Sequence, residues 1–598
     1  MSIFLPTSLK EIKKLNWDYI DVILFTGDAY IDHPSFGISV IARVLENAGY
    51  KVAVIPQPNW QDDLRDFKKL GSPRLFFGVT AGNMDSLVNN YTANKRIRSN
   101  DDYSPAGKAG CRPDYASVVY SKILKQLFPE TPVILGGIEA SMRRFAHYDF
   151  WQDKILSSIL ELSNADLLVY GMGEKTILQI AEKINSSGNI YNCYNLKQIA
   201  YLSDYKEDKN NDIKLFSLEE ISNDKEKYAE NFVTIEKYSN ILHDKRIVQD
   251  LGKNRLFVNP ILEKISEKEL DKIYSLPFTR KPHPRYSQKS QIPAYEMIKD
   301  SVTIHRGCFG GCSFCTISAH QGKQIISRSE NSVISELENI SKSPDFKGHI
   351  SDLGGPSANM YKMIAINQNI CKNCSKPSCI FPTICKNLNT SHDSLNKLYK
   401  KALSVKGIKK ISISSGIRYD IILENIENQK DKQEYLDLLI SKFVSGRLKV
   451  APEHCNNNVL NFIRKPKFQY FKTLKQIFDK INQKYKLKQQ LIPYFISSHP
   501  GCTEFEMAEL AVITKQMGFK LEQIQQFTPT PMTLATTMYY TELNPYTKEK
   551  IYVAKNKEQK DDQQKYFFWY KAEYKKKIID KLLKYNRKDL IKKLYGNV

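Results

Sequence analysis

The sequence has no apolar run near the ~20 residues that cross a bilayer. Its first residues, MSIFLPTSLKEIKK, turn charged too soon for a secretory leader. Both absences point to a cytoplasmic protein with no membrane span. Acidic charge is also in deficit: 65 Asp and Glu stand against 88 Lys and Arg, a formal net charge of +23. A field of that sign attracts polyanions, so RNA or another anionic substrate enters as a partner class. Lysine dominates the basic residues, however, whereas arginine forks are the preferred readers of phosphates and bases. Genome composition explains the charge equally well. Hydrophobics at 41% and aromatics at 11% argue against wholesale disorder.

At 598 residues the chain is too long for one core. Its first part alternates apolar runs (YIDVILFTG, KVAVIPQP, RLFFGVT, PVILGGIEAS, DLLVYGMGE) with helical patterns. That alternation predicts an α/β fold with a doubly wound parallel sheet over residues 1–185. Residues 186–290 are charged and poor in buried runs, and read as a connecting region. From 291 to 535 the alternation returns, with candidate strands in DSVTIHRG, GHISDLGGP, KKISISSGIR, RLKVAPEH, QQLIPYFISSHPG and EQIQQFTPTP. Each ends in a polar, Gly or Pro motif, as expected where strand ends of a barrel carry a site. Residues 366–390 interrupt this pattern as a Cys-rich insert. Residues 536–598 form a basic, helical C-terminal extension, read as a solvated amphipathic helix.

The 11 cysteines are odd in number, and seven fall between Cys308 and Cys385. In a reducing compartment such clustering points to metal rather than disulfides. Cys308, Cys312 and Cys315 are spaced C-x3-C-x2-C, with Gly307, Gly310 and Gly311 among them. Closed zinc sites and most iron–sulfur cubanes take four protein ligands. Three thiolates in one tight loop suit a cubane with one iron left open. A zinc knuckle completed by a distant ligand, or unconnected buried thiols, are the other readings. Cys371, Cys374, Cys379 and Cys385 supply four thiols in one insert, enough for a second metal site, zinc or Fe-S. The scattered Cys111, Cys193, Cys455 and Cys502 read as packed small hydrophobes.

The C-x3-C-x-aromatic-C motif, with Phe314 as the aromatic, resembles the signature of radical S-adenosylmethionine (SAM) enzymes. IPAYEMIKDSVTIHRGCFGGCSFC, SDLGGPSANMYKM, LKVAPEH, LIPYFISSHPG, VILGGIEASMRRFAHYDFW and LVYGMGEKT together resemble the YgiQ-type members of that superfamily over nearly the whole chain. The resemblance implies a cobalamin-binding-like N-terminal domain and a partial (β/α)6 TIM-type radical SAM barrel. It implies a [4Fe-4S] cluster on Cys308, Cys312 and Cys315, with SAM on the open iron, cleaved to a 5′-deoxyadenosyl radical that acts on an unknown substrate. Phe314, Gly354, Gly355, Ser415 and Arg418 are then the cofactor-binding candidates: the two glycines near the SAM amino group, Ser415 at the ribose, Arg418 at the carboxylate. A structural ion pair is the other reading of Arg418. Glu453, His454, Ser498 and His499 belong near the pocket. A one-electron reductant such as flavodoxin or ferredoxin is the implied partner. Cobalamin is less well supported: the histidine-ligated form wants D-x-H-x-x-G, and IDHPSFG places Asp32 and His33 side by side. Arg143 and Arg144 either bind an anion or pair with local carboxylates. Two other functions stay open: a non-catalytic iron–sulfur electron carrier, and a zinc-stapled RNA-binding protein.

Overall fold

The computed structural model describes residues 4–204, 211–286, 290–522 and 524–596. Five parallel strands, β1 (Val22–Thr26), β2 (Val52–Pro56), β3 (Phe76–Thr80), β4 (Val133–Leu135) and β5 (Leu167–Val169), lie in the order β2-β1-β3-β4-β5. This is a doubly wound order with its switch point between β1 and β3. The strands read as unbroken apolar runs because both faces are covered. Ile23 and Phe25 join one hydrophobic cluster, while Val22 and Leu24 join another on the opposite side. Helix α1 (Gly37–Asn47) covers the second face; α2 (Gly137–Met142) and α3 (Glu174–Ser187) follow β4 and β5.

The sheet does not stop at residue 185. β6 (Ile199–Ser203), β7 (Ile213–Lys214), β8 (Ile247–Asp250) and β9 (Arg255–Val258) extend it to nine strands in the order β7-β8-β9-β6-β5-β4-β3-β1-β2. β6 pairs antiparallel with β5 and with β9. The stretch read as a connecting region therefore adds four strands to the sheet, along with the helices Leu218–Asn223, Lys225–Tyr238 and Glu267–Tyr274. Its strands are short and sit in charged surroundings, so no long apolar run announced them. Residues 205–210 and 287–289 of that stretch lie outside the described residues.

All six strand positions expected after residue 291 are present: β10 (Ser301–Thr303), β11 and β12 (His349–Ile350 and Asp352–Gly354), β13 (Lys410–Ile411), β14 (Arg447–Glu453), β15 (Gln490–Ser497) and β16 (Gln525–Gln526). Gln523, inside the sixth candidate run, is outside the described residues. The pairings β10–β12, β11–β13, β14–β15 and β15–β16 are all parallel. Between β13 and β14 the described residues show no ladder; the Ile413 amide reaches the Phe443 carbonyl instead (3.1 Å). This is a partial barrel whose C-terminal strand ends share one rim.

The C-terminal extension is more than a solvated helix. Helices α6 (Lys557–Lys565), α7 (Ala572–Lys584) and α8 (Lys588–Tyr595) follow α5 (Glu504–Gln516) onto the barrel. They bury Ile578, Leu582, Leu590, Ile591 and Leu594 in the main core. Gln563 reaches the rim, accepting from the Ser498 amide (2.7 Å) and donating to the Cys502 carbonyl (2.7 Å). Among the described residues no helix is long and apolar enough to cross a membrane.

Candidate functional site

The first cysteine loop leaves β10 and is held at every turn. Gly307 adopts φ +86, and a Cβ there would stand 2.3 Å from the Gln324 carbonyl oxygen; Gly311 adopts φ +61, and its Cβ would stand 2.6 Å from the Pro377 carbonyl oxygen. No side chain fits either position. A methyl group on Gly310 would lie 3.3 Å from Cys308 Sγ, 3.9 Å from Cys312 Sγ and 2.9 Å from Arg418 Nη1. The bare glycine backbone thus lets two sulfurs and a guanidinium converge. The Cys308 amide donates to the Gly322 carbonyl (3.1 Å), and Ser318 Oγ donates to the Cys308 carbonyl (2.7 Å). Ser313, between the last two cysteines, pairs its hydroxyl with His499 Nε2 (3.0 Å) and its amide with the Ile463 carbonyl (3.0 Å).

Burial pushes the Cys308 thiol up and the Cys315 thiol up to about 12, each reinforced by the neighbouring cysteines. Two cations face them. Burial works against the Arg418 charge, but Asp420 and the Cys312 and Cys308 thiols beside it raise its pKa overall. Its Nε and Nη2 are clamped by the Asp420 carboxylate (2.9 and 2.6 Å), which aims Nη1 at Cys312 Sγ (3.6 Å). Both readings of Arg418 thus meet in one side chain: an ion pair fixes it, and its remaining edge faces the cysteines. Buried Lys465 is likewise raised, with Glu453 and Cys312 outweighing desolvation, and pairs with Glu453 at 3.3 Å.

The glycine pair of SDLGG is equally tight. A Cβ on Gly354 would stand 2.7 Å from Ser415 Oγ, and one on Gly355 2.6 Å from His305 Nε2. The Gly354 carbonyl accepts from the Ile304 amide (2.8 Å). Ser415 donates its hydroxyl to Asp352, whose other oxygen accepts from the Ser414 and Ser415 amides (2.8 and 3.1 Å). Burial raises the Asp352 carboxyl despite those donors. Phe314 is partly buried against the main core. His499 joins the loop through Ser313, whereas His454 turns to Cys502 Sγ (3.7 Å). Glu453 and Ser498 sit at φ +64 and +61 on the rim, and each holds a buried oxygen without a partner. Asp352, Asp420, Ser313, His305 and Lys465 are the neighbours that pattern reading did not single out. Asp352 and Asp420 lie within the same strand-end motifs, and that adjacency was the available signal.

The second cysteine group rests on the first loop. Ser378 Oγ donates to the Phe309 and Gly310 carbonyls (3.2 and 2.9 Å), and the Cys379 amide donates to Phe309 (3.1 Å). Cys308 and Cys379 pack against one small apolar cluster built on Phe309, Met360 and Ile380. Cys371 and Cys374 close a turn (3.2 Å), Cys385 bonds back to Cys379 (2.8 Å), and Lys323 Nζ ties the Cys374 and Lys376 carbonyls (2.8 and 2.6 Å). Burial pushes the Cys379 thiol up to about 11. Among the described residues no three His, Cys, Asp or Glu side chains converge closely enough to hold a single ion. A four-iron core needs a wider arrangement, with one thiolate per iron rather than several around one metal. The donor type, the glycine cradle and the facing cations fit such a core at the first loop.

In the N-terminal sheet a buried arginine stands beside the strand ends at the switch point. Arg112 lies there between Asp28 (2.8 Å) and Asp101 (3.2 Å) and donates to the Ala81 carbonyl (2.9 Å). Asp32 is held by Arg43, and buried His33 accepts from the Ser35 amide at Nδ1 (3.1 Å). These residues do not fit a histidine-ligated cobalamin. The adjacent arginines part ways: Arg143 pairs with Asp85 (3.0 Å) and Asp149 (2.8 Å), while Arg144 has no carboxylate partner among the described residues.

A family described as Radical SAM N-terminal matches residues 4–301, and a domain of unknown function, DUF3362, matches residues 522–594. Proteins named UPF0313 from Bacteroides thetaiotaomicron and Porphyromonas gingivalis are 54% and 55% identical to it, over 99% of this chain and 98% and 94% of theirs. One from Methanocella arvoryzae is 43% identical over 97% of this chain and 95% of its own. Among solved structures, the radical SAM methyltransferase TsrM from Kitasatospora setae, with cobalamin and a [4Fe-4S] cluster bound, aligns at TM-score 0.46 and 13% identity, covering 86% of this chain and 77% of that one. The cobalamin-dependent radical enzyme OxsB aligns at 0.47 and 11%, covering 88% and 55%. With relatives this similar along nearly its whole length, the chain belongs to the UPF0313 family, a radical SAM-type family of enzymes.

Proposed function

We propose that this chain is a radical SAM enzyme in which Cys308, Cys312 and Cys315 hold a [4Fe-4S] cluster that binds S-adenosylmethionine at its open iron. When bound and reduced by an external one-electron donor, the cluster would supply one electron to the SAM sulfonium, and SAM would part into methionine and a 5′-deoxyadenosyl radical for a substrate that stays open. The observation that carries the reading is the loop itself: two cysteine sulfurs drawn against Gly310 at a barrel strand end, with Arg418 Nη1 turned onto Cys312.

The residues have distinct work. Buried thiols are costly to ionise, and the Arg418 and Lys465 charges lower that cost on the side where metal replaces the protons. Asp420 fixes the Arg418 fork so that its free edge serves an acceptor at the site, in keeping with a SAM carboxylate. Gly354, Gly355, Ser415 and Asp352 line the adjoining strand end, where an ammonium and a ribose find acceptors. Phe314 packs the loop's inner side. Cys371, Cys374, Cys379 and Cys385 are the ligands of a second metal site; of zinc and Fe-S, the wider arrangement of the thiols suits Fe-S, and only an Fe-S core there would pass electrons from a flavodoxin- or ferredoxin-type donor in the cytoplasm. Histidine-ligated cobalamin is left out of this reading because Asp32 is held by Arg43 and His33 by the Ser35 amide.

Anaerobic purification should give brown protein with ~4 iron per chain, or ~8 if both groups hold cubanes. After reduction with dithionite it should release 5′-deoxyadenosine from SAM. An intact, reduced cluster that releases none would overturn the proposal.

A further inference from the structure

A cavity of about 130 Å³ lies where the N-terminal sheet meets the helix that follows the first cysteine loop, α4 (Ile317–Gln321). Arg144, Tyr170, Gln198, Arg306 and His320 are among the residues that line it. The two sides are bolted together by Ser141. Its hydroxyl pairs with His320 Nδ1 (3.1 Å) and accepts from the Gly171 amide (3.0 Å), while its carbonyl accepts from Arg144 Nη1 (2.6 Å). The cavity therefore adjoins the element that begins two residues after Cys315.

Arg144 is unlike the other buried arginines here. Arg112, Arg143, Arg306 and Arg418 each have a carboxylate: Asp28, Asp85, Glu174 and Asp420. Arg144 is 3% exposed and has none among the described residues. Its Nε has no hydrogen-bond partner; Nη1 touches only the Ser141 carbonyl and the Met532 sulfur (3.2 Å). The Tyr170 ring lies 4.6 Å from the guanidinium carbon and supplies a face, not a counter-charge. His320 adds no charge, since burial and then Arg144 and Arg306 push it down to about 4 against the pull of Glu174. The cavity wall thus carries a guanidinium with no carboxylate paired to it among the described residues, alongside Lys175, Lys245 and Lys264 and one carboxylate, Glu263. Burying such a charge without an anion is expensive.

We infer that Arg144 binds the anionic headgroup, carboxylate or phosphate, of the substrate and so sets substrate class. The inference rests on the proposed radical SAM reading: a substrate anchored there stands next to the cysteine loop.

The test titrates the anaerobically reconstituted full chain by calorimetry with inorganic phosphate and, separately, with succinate. At least one should bind. Arg144→Met should weaken that binding at least about tenfold, with iron content per chain unchanged. Preferred phosphate names a phosphorylated substrate, and preferred succinate a carboxylate one. If Arg144→Met does not fold, Arg144→Lys keeps a charge but loses the fork, and should weaken binding roughly fivefold. No binding of either anion, or unchanged affinity in the folded variant, overturns the inference. Release of 5′-deoxyadenosine by a preparation that binds neither anion would remove the anion site and leave the enzyme reading intact. Anion binding that depends on Arg144, without that release, would do the reverse.

Discussion

The two cysteine groups differ in what holds them before any metal arrives. The first sits at the end of β10 on glycines whose every Cβ position is taken, and its Ser313 is hydrogen-bonded to the far side of the barrel. The second sits on a loop with only one short helix, Gln368–Lys372, beside exposed Ile366 and Ile370. It borrows its support from the first through Ser378 and Cys379. Preorganised ligands bind metal at little folding cost, whereas a loop of turns gains its order from the metal. The first group is therefore expected to be the template and the second the dependent.

Breaking the template should have the largest effect. Cys312→Ala should abolish iron at the first loop and lower 5′-deoxyadenosine release by more than about 100-fold, measured by iron assay and chromatography. Cys374→Ala should strip metal from the insert while the first loop keeps its iron. If it removes all iron instead, the two groups are one site and the comparison collapses.

Acid should weaken the barrel through its buried histidines. Burial first of all pushes His305 and His499 down to about 4 and His454 down to about 3 from an ordinary 6.5. The unfolded chain takes up protons below pH 6.5, and the folded chain does not until about pH 4. Stability is therefore complete above pH 6.5 and falls as pH drops through that window, by at most about 1.4 kcal/mol per unit per group. Thermal melts across pH 7 to 4 should show the fall, and His454→Gln should lessen it by about a third, since His305 and His499 remain. Stability that is level across the window would mean these rings are not buried neutral.

The seam between the two groups is probed by Gly311→Ala. The left-handed φ and the Pro377 carbonyl in the way should cost about 1–3 kcal/mol and loosen the insert first, seen as metal lost from Cys371–Cys385 before Cys308–Cys315. Ser313→Ala should have the smallest effect. It removes the bond to His499 and should cost about 1 kcal/mol in a melt while both metals stay bound.

Much of the barrel was legible because each strand is a short apolar run punctuated by its own strand-end motif, as in DSVTIHRG and RLKVAPEH. The region from 186 to 290 was not. Its strands Ile199–Ser203 and Arg255–Val258 pair with partners far along the chain, and their apolar runs are too brief to outweigh the charged residues around them. The C-terminal extension was read as solvated because its lysines dominate the composition, yet Ile578, Leu582, Leu590 and Leu594 share a buried face.

By itself the amino-acid order determined local chemistry: three thiols among glycines, four more in one insert, and strand ends rich in Gly, Ser and Arg. These are covalent spacings, and no fold can change them. Only the folded chain decided which distant groups meet: Arg418 on Cys312, the insert seated on the Phe309–Gly311 backbone, Arg143 paired with Asp85, and Arg144 with no counter-charge among the described residues. Such choices depend on burial and on side chains up to hundreds of residues apart being brought within a few ångströms, and no local pattern encodes that.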